Sequence, residues 1–496
     1  MEFKYLLGLG LYFILLILIG LWVKGKINTA EDYLVGGRSF NTFFNTATLT
    51  SCFLGGSVIV AVPGATYELG IWNDQALWGS LVNLGGGTVC LFIAGLFFMP
   101  QLWRLKLLSL GDFYYKRYGR ATGILATFLI SFTFIFWISV QVLVFAKIAG
   151  SILDWPFMLS IIISVTVICV YTMLGGLWAV CMTDVLQVSL VLIGLSILTP
   201  LTLDAVGGWE SFIAAIPQEK TQFFPAEHSP KVWLAWIAAW VMLGFGSIAT
   251  PDLTQRSFSA KSAKVARRSA FIAGTITVIA LVVVTYLTYA GSILIDKGVI
   301  PGDAVARDPE LILPVLFKSI LPTGLVVLFL GACLAAVMSA ADSALLALSG
   351  MVSKNIVKDL IKPDLGNEGL MQATRLLVLI ASIAGAVIAV ALPNALTLVA
   401  LAFDLITCCL FGPLVLGLYW KKANGYGTIA GMLVAVLIRV VISGIQYGFT
   451  LEGIAFTGEY WFVYTLISPI ACVLTIAAVS LMTQKANPPI ALNTYD

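Results

Sequence analysis

Charge is scarce in this chain: Asp, Glu, Lys and Arg make up 11% of its 496 residues, less than half the roughly 25% usual in a soluble globular domain. A water-soluble fold is thereby excluded. The 28 basic and 25 acidic residues leave a net charge of +3, and no basic tract could neutralise a row of phosphates, so no nucleic-acid partner is expected. Histidine occurs once, as His228 near Pro230, which removes the paired imidazoles that haem or copper ligation inside a membrane needs. The eight cysteines (Cys52, Cys90, Cys169, Cys181, Cys333, Cys408, Cys409 and Cys472) lie in apolar stretches with no CxxC spacing and read as small core residues. GxxxxGK[ST] is absent, so the chain carries no P-loop motor, and uphill work must draw on an ion gradient. With no paired His, metal motif or nucleophile–base spacing, an intramembrane enzyme is not expected either.

What the chain has is apolar length: 60% of it is hydrophobic. A hydrocarbon core about 30 Å thick takes roughly 20 helical residues to cross. Apolar segments run near residues 5–23, 41–67, 75–100, 121–150, 157–175, 180–203, 232–250, 269–293, 322–350, 371–392, 394–420, 425–446 and 460–483. They predict an all-α integral membrane bundle of about thirteen spans. The first run lacks a small-residue cleavage site and is followed by Lys24 and Lys26, so it reads as a retained helix.

An odd number of spans puts the termini on opposite sides, and basic residues mark the cytoplasmic loops. With the N-terminus outside, the inner loops and span ends collect Lys24, Lys26 and Arg38; Arg104, Lys106, Lys116, Arg117 and Arg120; Arg256, Lys261, Lys264, Arg267 and Arg268; Lys354, Lys358, Lys362 and Arg375; and Lys421, Lys422 and Lys485. These are twenty of the 28. The outer set is Lys4, Lys147, Lys220, Lys231, Lys297, Arg307, Lys318 and Arg439. The expected location is the plasma membrane, the inner membrane in a bacterium, with the C-terminus cytoplasmic.

Two spans are not simple helices. The second contains Gly55-Gly56 and closes on Pro63-Gly64; the seventh reads Gly244-Phe245-Gly246-Ser247 and then Thr250-Pro251-Asp252. Unwound backbone is tolerated in lipid only where it lines a protein cavity, and a corresponding pair of interrupted spans points to a transporter site. Close packing of small residues is the simpler alternative. Spans two to six and seven to eleven would be five-helix units of opposite orientation. The expected division is a first helix and loop at 1–40, one repeat at 41–203, an extracellular loop at 204–231, a second repeat at 232–420, and two peripheral helices with a cytoplasmic tail at 421–496.

Four carboxylates lie within or at the edge of these segments: Asp184, Asp252, Asp342 and Asp404. Each costs about 2.5–3.5 kcal/mol at a helix centre, so each is a candidate site. Asp184 and Asp252 stand near span ends, where the cost falls. Asp342 is deep in its span, and Ala336, Ser339 and Asp342/Ser343 follow at steps of three or four, on one helix face. Hydroxyl and carboxylate oxygens suit a hard cation; the alternative is that the serines bond back to the preceding turn and Asp342 is protonated or paired. Around the breaks, Phe53, Ser57, Trp72, Gln75, Trp137, Gln141, Trp240 and Phe245 are the candidate solute-binding groups, Trp72 and Trp240 being equally candidates for the interfacial aromatic belt.

Tyr33-Leu34-Val35-Gly36-Gly37-Arg38, Pro63-Gly64-Ala65, Tyr171-Thr172-Met173-Leu174-Gly175-Gly176-Leu177-Trp178, Thr183-Asp184-Val185-Leu186-Gln187, Gln255-Arg256 and the Ala335–Ser343 stretch together resemble the sodium:solute symporter family over nearly the whole length. The resemblance implies the LeuT-type fold, a 5+5 inverted repeat with two broken helices. It implies a main sodium site with carbonyls of Ser51, Leu54 and Ala336 and the hydroxyl of Ser339; the next position, Ala340, lacks the hydroxyl expected there. A second, deeper cation site maps onto Asp184, Ser339, Asp342 and Ser343. In outline the chain resembles the choline-transporter branch, through Ser339–Ser343, Phe136-Trp137 and Asp404, yet of its aromatic-cage positions (Phe53, Trp137, Thr250, Val399) only Trp137 remains tryptophan. The resulting expectation is secondary active symport of a small organic solute, either a choline-like cation, an amino acid such as proline or another small metabolite, with sodium as the coupling ion and a functional monomer in the lipid bilayer. A proton-coupled symporter and a non-transporting sensor of the same fold are the alternatives.

Overall fold

The computed structural model describes residues 2–24, 29–76, 78–447 and 461–492. Of the basic residues counted above, Lys26 lies outside them. Among the described residues, nine helices are long and apolar enough to cross a membrane, ten if the bent pair Thr42–Phe53 and Ser57–Leu69 is one span. Three of the expected segments are shorter apolar helices, Gly10–Val23, Val89–Arg104 and Phe157–Val170.

After α1 (Glu2–Lys24) the helices fall into two series, each opened by a broken one. The first is α2 (Thr42–Phe53) with α3 (Ser57–Leu69), bent by 47° between them; α4 (Leu81–Ile93), which runs on through Met99–Arg104; α5 (Arg120–Leu153); and α6 (Phe157–Val206), two helices joined at Gly176. The second is α7 (Pro230–Gly246) with α8 (Pro251–Ser259), α9 (Ala263–Asp296), α10 (Thr323–Val352), α11 (Asn367–Ala391) and α12 (Ala395–Ile406), which continues to Tyr419. Two more, α13 (Gly425–Tyr447) and α14 (Trp461–Met482), pack on each other.

The breaks have local causes. Leu54, with φ −90 and ψ 38, ends α2 just before Gly55-Gly56. Thr250 is extended (φ −91, ψ 149) because Pro251 follows, and Pro251 then occupies the first turn of α8, where its missing N–H leaves nothing unbonded. In α6, Gly176 has φ 54 and ψ −165, and a Cβ there would lie 2.8 Å from the Tyr33 carbonyl oxygen. Only glycine fits that turn.

The third apolar segment was expected from residue 75, but its helix starts at Leu81. Asn73 Oδ1 accepts from the amides of Gln75 and Ala76, and Asp74 Oδ2 from those of Ala226 and Glu227, so side chains that compete for backbone amides hold 70–76 out of the helix.

The apolar surface agrees with a lipid solvent. On α11, Leu376, Ile380, Ile383 and Val387 are each more than half exposed at spacings of three or four, a stripe that would be an aggregation hazard in water. α5 packs against α6, α10, α11 and α12 with most of its side chains buried, Phe128 and Phe132 remaining exposed.

Side chains gather the loops into two opposite ends. At one, Arg38 donates to the carbonyls of Leu107 and Phe258, Asn355 donates to Asp112, and Arg117 donates to Gly417, Trp420 and Ile490 carbonyls. At the other, Lys147 pairs with Glu310 and Asp308, Lys318 with Asp154, and Lys297 donates to the Val206 carbonyl. Arg38 and Arg117 come from the expected inner set, and Lys147, Lys297 and Lys318 from the outer one. Arg439 departs from its set: it is buried and pairs with Asp404, which also accepts from Thr465 at 2.6 Å. Its guanidinium lies 3.9 Å from the Tyr464 ring centroid, so it belongs to the packing of α12 against α13 and α14, not to a loop. Asp404 is correspondingly a structural carboxylate.

Candidate functional site

Both breaks open on one cavity in the middle of the bundle. Cys52, Phe53, Ser57 and Val58 of the first break form one wall; Leu243, Ser247, Thr250 and Asp252 of the second form the facing one. Trp137 of α5, Thr277 and Leu281 of α9, and Val399 and Phe403 of α12 close it. Its free volume is about 40 Å3, room for about three waters, so the helices must part to admit an organic solute. Trp137 and Phe403 meet edge to face, centroids 5.1 Å apart.

Of the eight expected solute-binding residues, Phe53, Ser57 and Trp137 line this cavity. Gln141, one turn along α5, is buried, and its Oε1 accepts from the Gly56 amide at 3.2 Å, holding the break. Four others are elsewhere. Trp72 is buried in the 70–80 loop with Nε1 donating to Asp74, and Gln75 is exposed there. Trp240 joins Phe223 and Trp236 in an aromatic cluster on a second, more apolar hollow of about 330 Å3, which shares Leu281 with the first. Phe245 stacks flat on Phe411, 4.8 Å between centroids. Helix phase turns Phe245 away, since neighbours in sequence point to different faces; Trp240 stands about two turns from Ser247 along α7, and Trp72 and Gln75 are in the loop after α3.

A polar cluster lies between α2, α6, α8 and α10. Asp184 is fully buried; its carboxylate accepts from Thr48 Oγ1 and from Ser339 Oγ, both at 2.5 Å. Arg256 donates to Thr48 at 3.2 Å, to Ser343 at 2.5 Å and to Gln255 at 2.9 Å, and stands 4.0 Å from Asp184. Ser343 in turn donates to Asp342 at 3.5 Å. The expected deeper-site residues Asp184, Ser339, Asp342 and Ser343 are therefore one connected group, with Arg256 as counter-charge. At the expected main site, Ser51 is buried with Oγ donating to the Thr48 carbonyl, Leu54 ends α2, and the Ala336 carbonyl and Ala340 methyl face Gly55 of the break. Ser339 joins the two sets. From α1, Tyr12 accepts from Gln187 of α6 at 3.0 Å, so this outer helix also touches the polar region.

Several contributors lie outside the expected solute and cation sets, among them Asp252, Phe403, Thr48 and Arg256. Asp252, a candidate carboxylate with the membrane interface as its alternative, is 7% exposed and lines the cavity. Phe403 lies one turn from Val399, a spacing that could have placed it. Thr48 lies three residues before Ser51 on the same face, a similar signal. Arg256 offered none, because only the tertiary packing shows which carboxylate it meets.

A cavity between two broken helices, walled by aromatics and joined to a buried carboxylate–hydroxyl cluster, is the architecture of an integral membrane transport protein. A sodium:solute symporter family profile matches residues 33–435, and the chain belongs to that family. It is similar to high-affinity choline transporter 1 of Torpedo marmorata (26% identical over 450 residues, 88% of this chain and 76% of that one), to the sodium/pantothenate symporter of Escherichia coli K12 (27% over 460 residues, 90% and 92%) and to the sodium/proline symporter of Haemophilus influenzae (27% over 517 residues, 99% and 97%). Among solved structures, a substrate-bound, outward-open Na+-coupled sialic acid symporter superposes with a TM-score of 0.81 at 18% identity over 97% of both chains. Mhp1, a nucleobase-cation-symport-1 family transporter, gives 0.57 at 15%, covering 92% and 95%. At these identities the two structures speak for the fold.

Proposed function

We propose that the protein is a secondary active symporter in which inward sodium movement drives uptake of a small organic solute. One observation carries this reading: α2 supplies Thr48, Ser51 and Leu54 to the oxygen-rich side and Cys52 and Phe53 to the cavity wall. An ion that fixes α2 therefore shapes the solute pocket, and the solute in turn favours the ion-bound arrangement, a coupling that is reciprocal by linkage. Thirteen crossings, an outside N-terminus and inverted repeats at 41–203 and 232–420 belong to the same proposal, as does action as a monomer.

The test is uptake into proteoliposomes of choline, betaine, proline, pantothenate, sugars and sialic acid, with and without an inward sodium gradient. Accumulation of one of them only with sodium is expected; uptake equally strong without sodium overturns sodium coupling.

Proton coupling through Asp342 is the second reading, and Arg256 favours it. Its guanidinium already serves Ser343 and stands beside Asp184, so a second sodium would have to displace it. Under this reading, uptake runs in sodium-free buffer down a pH gradient, and Asp342→Asn exchanges solute without accumulating it. Under the sodium reading, Asp342→Asn abolishes coupling at every pH, because the amide lacks the charge that offsets desolvation of the cation.

A further inference from the structure

The chemistry of the cavity wall is uneven. Among the residues lining it, Asp252 is the one with a charge. Its carboxylate accepts from the Leu253 amide at 2.7 Å and interacts with the Thr250 hydroxyl, and an ionised carboxylate offers about four acceptor positions in all. Arg256, one turn further along α8, donates to Thr48, Ser343 and Gln255 and stands 4.0 Å from Asp184, and its charge also acts on Asp252. Ser57, Ser247 and Thr250 lie on the same wall, the Thr250 hydroxyl donating to the Ser247 carbonyl at 2.8 Å. Opposite charge and hydrogen bonds from a solute would offset the desolvation of such a carboxylate.

The rest of the wall is aromatic on one side only, with Phe53, Trp137 and Phe403. Trp137 is 5% exposed, and its Nε1 has no hydrogen-bond partner within the protein. A buried donor left so is costly, about 1–3 kcal/mol, unless a ligand oxygen accepts from it. Thr250 and Val399 supply a hydroxyl and an aliphatic surface where a cage for a quaternary ammonium would need further rings.

We propose that Asp252 is the specificity-determining residue of this cavity, which takes a small ammonium compound bearing N–H donors and an oxygen acceptor, and discriminates against the fully N-methylated cation. The N–H groups meet Asp252 and the neighbouring hydroxyls, the charge lies against the aromatic side, and the ligand oxygen accepts from Trp137 Nε1. A quaternary ammonium has no N–H to give the carboxylate, and so forgoes that charge-assisted hydrogen bond. This inference rests on the symporter reading for the place of the site but not for its chemistry.

Matched probes separate the two. Ethanolamine against choline, proline against N,N-dimethylproline, and ethylene glycol and glycolate as neutral and anionic controls are measured for binding to the purified full chain by thermal stabilisation in sodium buffer, and for uptake into proteoliposomes. The N–H member of at least one pair is expected to bind about tenfold or more tightly than its N-methylated partner, the scale of a lost charge-assisted hydrogen bond. Asp252→Asn should remove that preference while stabilisation by sodium alone persists, which also serves as the check on folding. Trp137→Phe, keeping the ring without its donor, should weaken ethanolamine several-fold and leave ethylamine unchanged. Equal or tighter binding of the methylated partners, binding of the glycol or glycolate instead, binding of no probe, or a preference that survives Asp252→Asn each overturns the proposal. Binding that follows Asp252 without gradient-driven accumulation upholds it while overturning the symporter reading.

Discussion

Ser339 is the residue on which both candidate cation sites meet. Its hydroxyl donates to Asp184 at 2.5 Å while its lone pairs stay open to a cation, and Ala340 next to it has no oxygen to offer. A hydrogen bond to a charged acceptor is worth about 1.5–3 kcal/mol. Ser339→Ala is therefore expected to raise the sodium half-saturation of uptake about tenfold or more with little change in the amount of folded protein, and Ser339→Thr to restore it. An unchanged half-saturation in the alanine variant would sink the assignment. Ala340→Ser, which adds the missing hydroxyl facing the break, is expected to lower the half-saturation in the same assay. The other carboxylates show why residue type alone was insufficient at this scale. Asp184, Asp252 and Asp404 look alike in the sequence, yet one holds a hydroxyl cluster, one lines the cavity, and one anchors two peripheral helices through Arg439. The partners of Asp184 and Asp404 come from distant segments that no spacing reveals.

At the scale of the element, the two broken helices were legible because their cause is local: glycines that weaken the helix in one, and a proline that forces Thr250 to extend in the other. The close approach of the first break to α10 was not. A Cβ on Gly55 would stand 2.6 Å from the Ala340 Cβ, so α2 and α10 touch where the glycine is. Gly55→Ala should force them apart and abolish uptake in the proteoliposome assay, and Gly55→Ala combined with Ala340→Gly should recover part of it, because the second change removes the obstructing methyl. Failure of the pair to recover any uptake would mean that Gly55 acts through backbone freedom alone. The helix expected from residue 75 failed for a reason equally local: Asn73 and Asp74 take up backbone amides, and apolar composition alone did not reveal that capture.

For the whole molecule, the basic residues give the sharpest expectation. Arg38, Lys106, Lys264, Lys358 and Lys421 should face the cytoplasm, and residues 209–231 the outside. Within the expected inner set, Arg38 donates to the Leu107 carbonyl and Arg117 to the Lys421 carbonyl at 3.3 Å. Single cysteines at these positions, on a background without the eight native ones, should react with an impermeant thiol reagent only from the assigned side. Labelling of Lys264→Cys from outside would overturn the orientation.

Composition and order along the chain determined the solvent, the helical class, the approximate run of spans and the place of both breaks, because hydrophobic length and glycine–proline punctuation act locally and need no partner. The family motifs likewise stand in the sequence as written. Tertiary structure alone decided which faces of those helices meet. It brought Asp252 and Phe403 to the cavity, moved Trp72, Gln75, Trp240 and Phe245 away from it, and set Arg256 against Asp184. A helix repeats every 3.6 residues, so a small rotation in packing changes which side chains share a pocket, and no local pattern fixes that rotation.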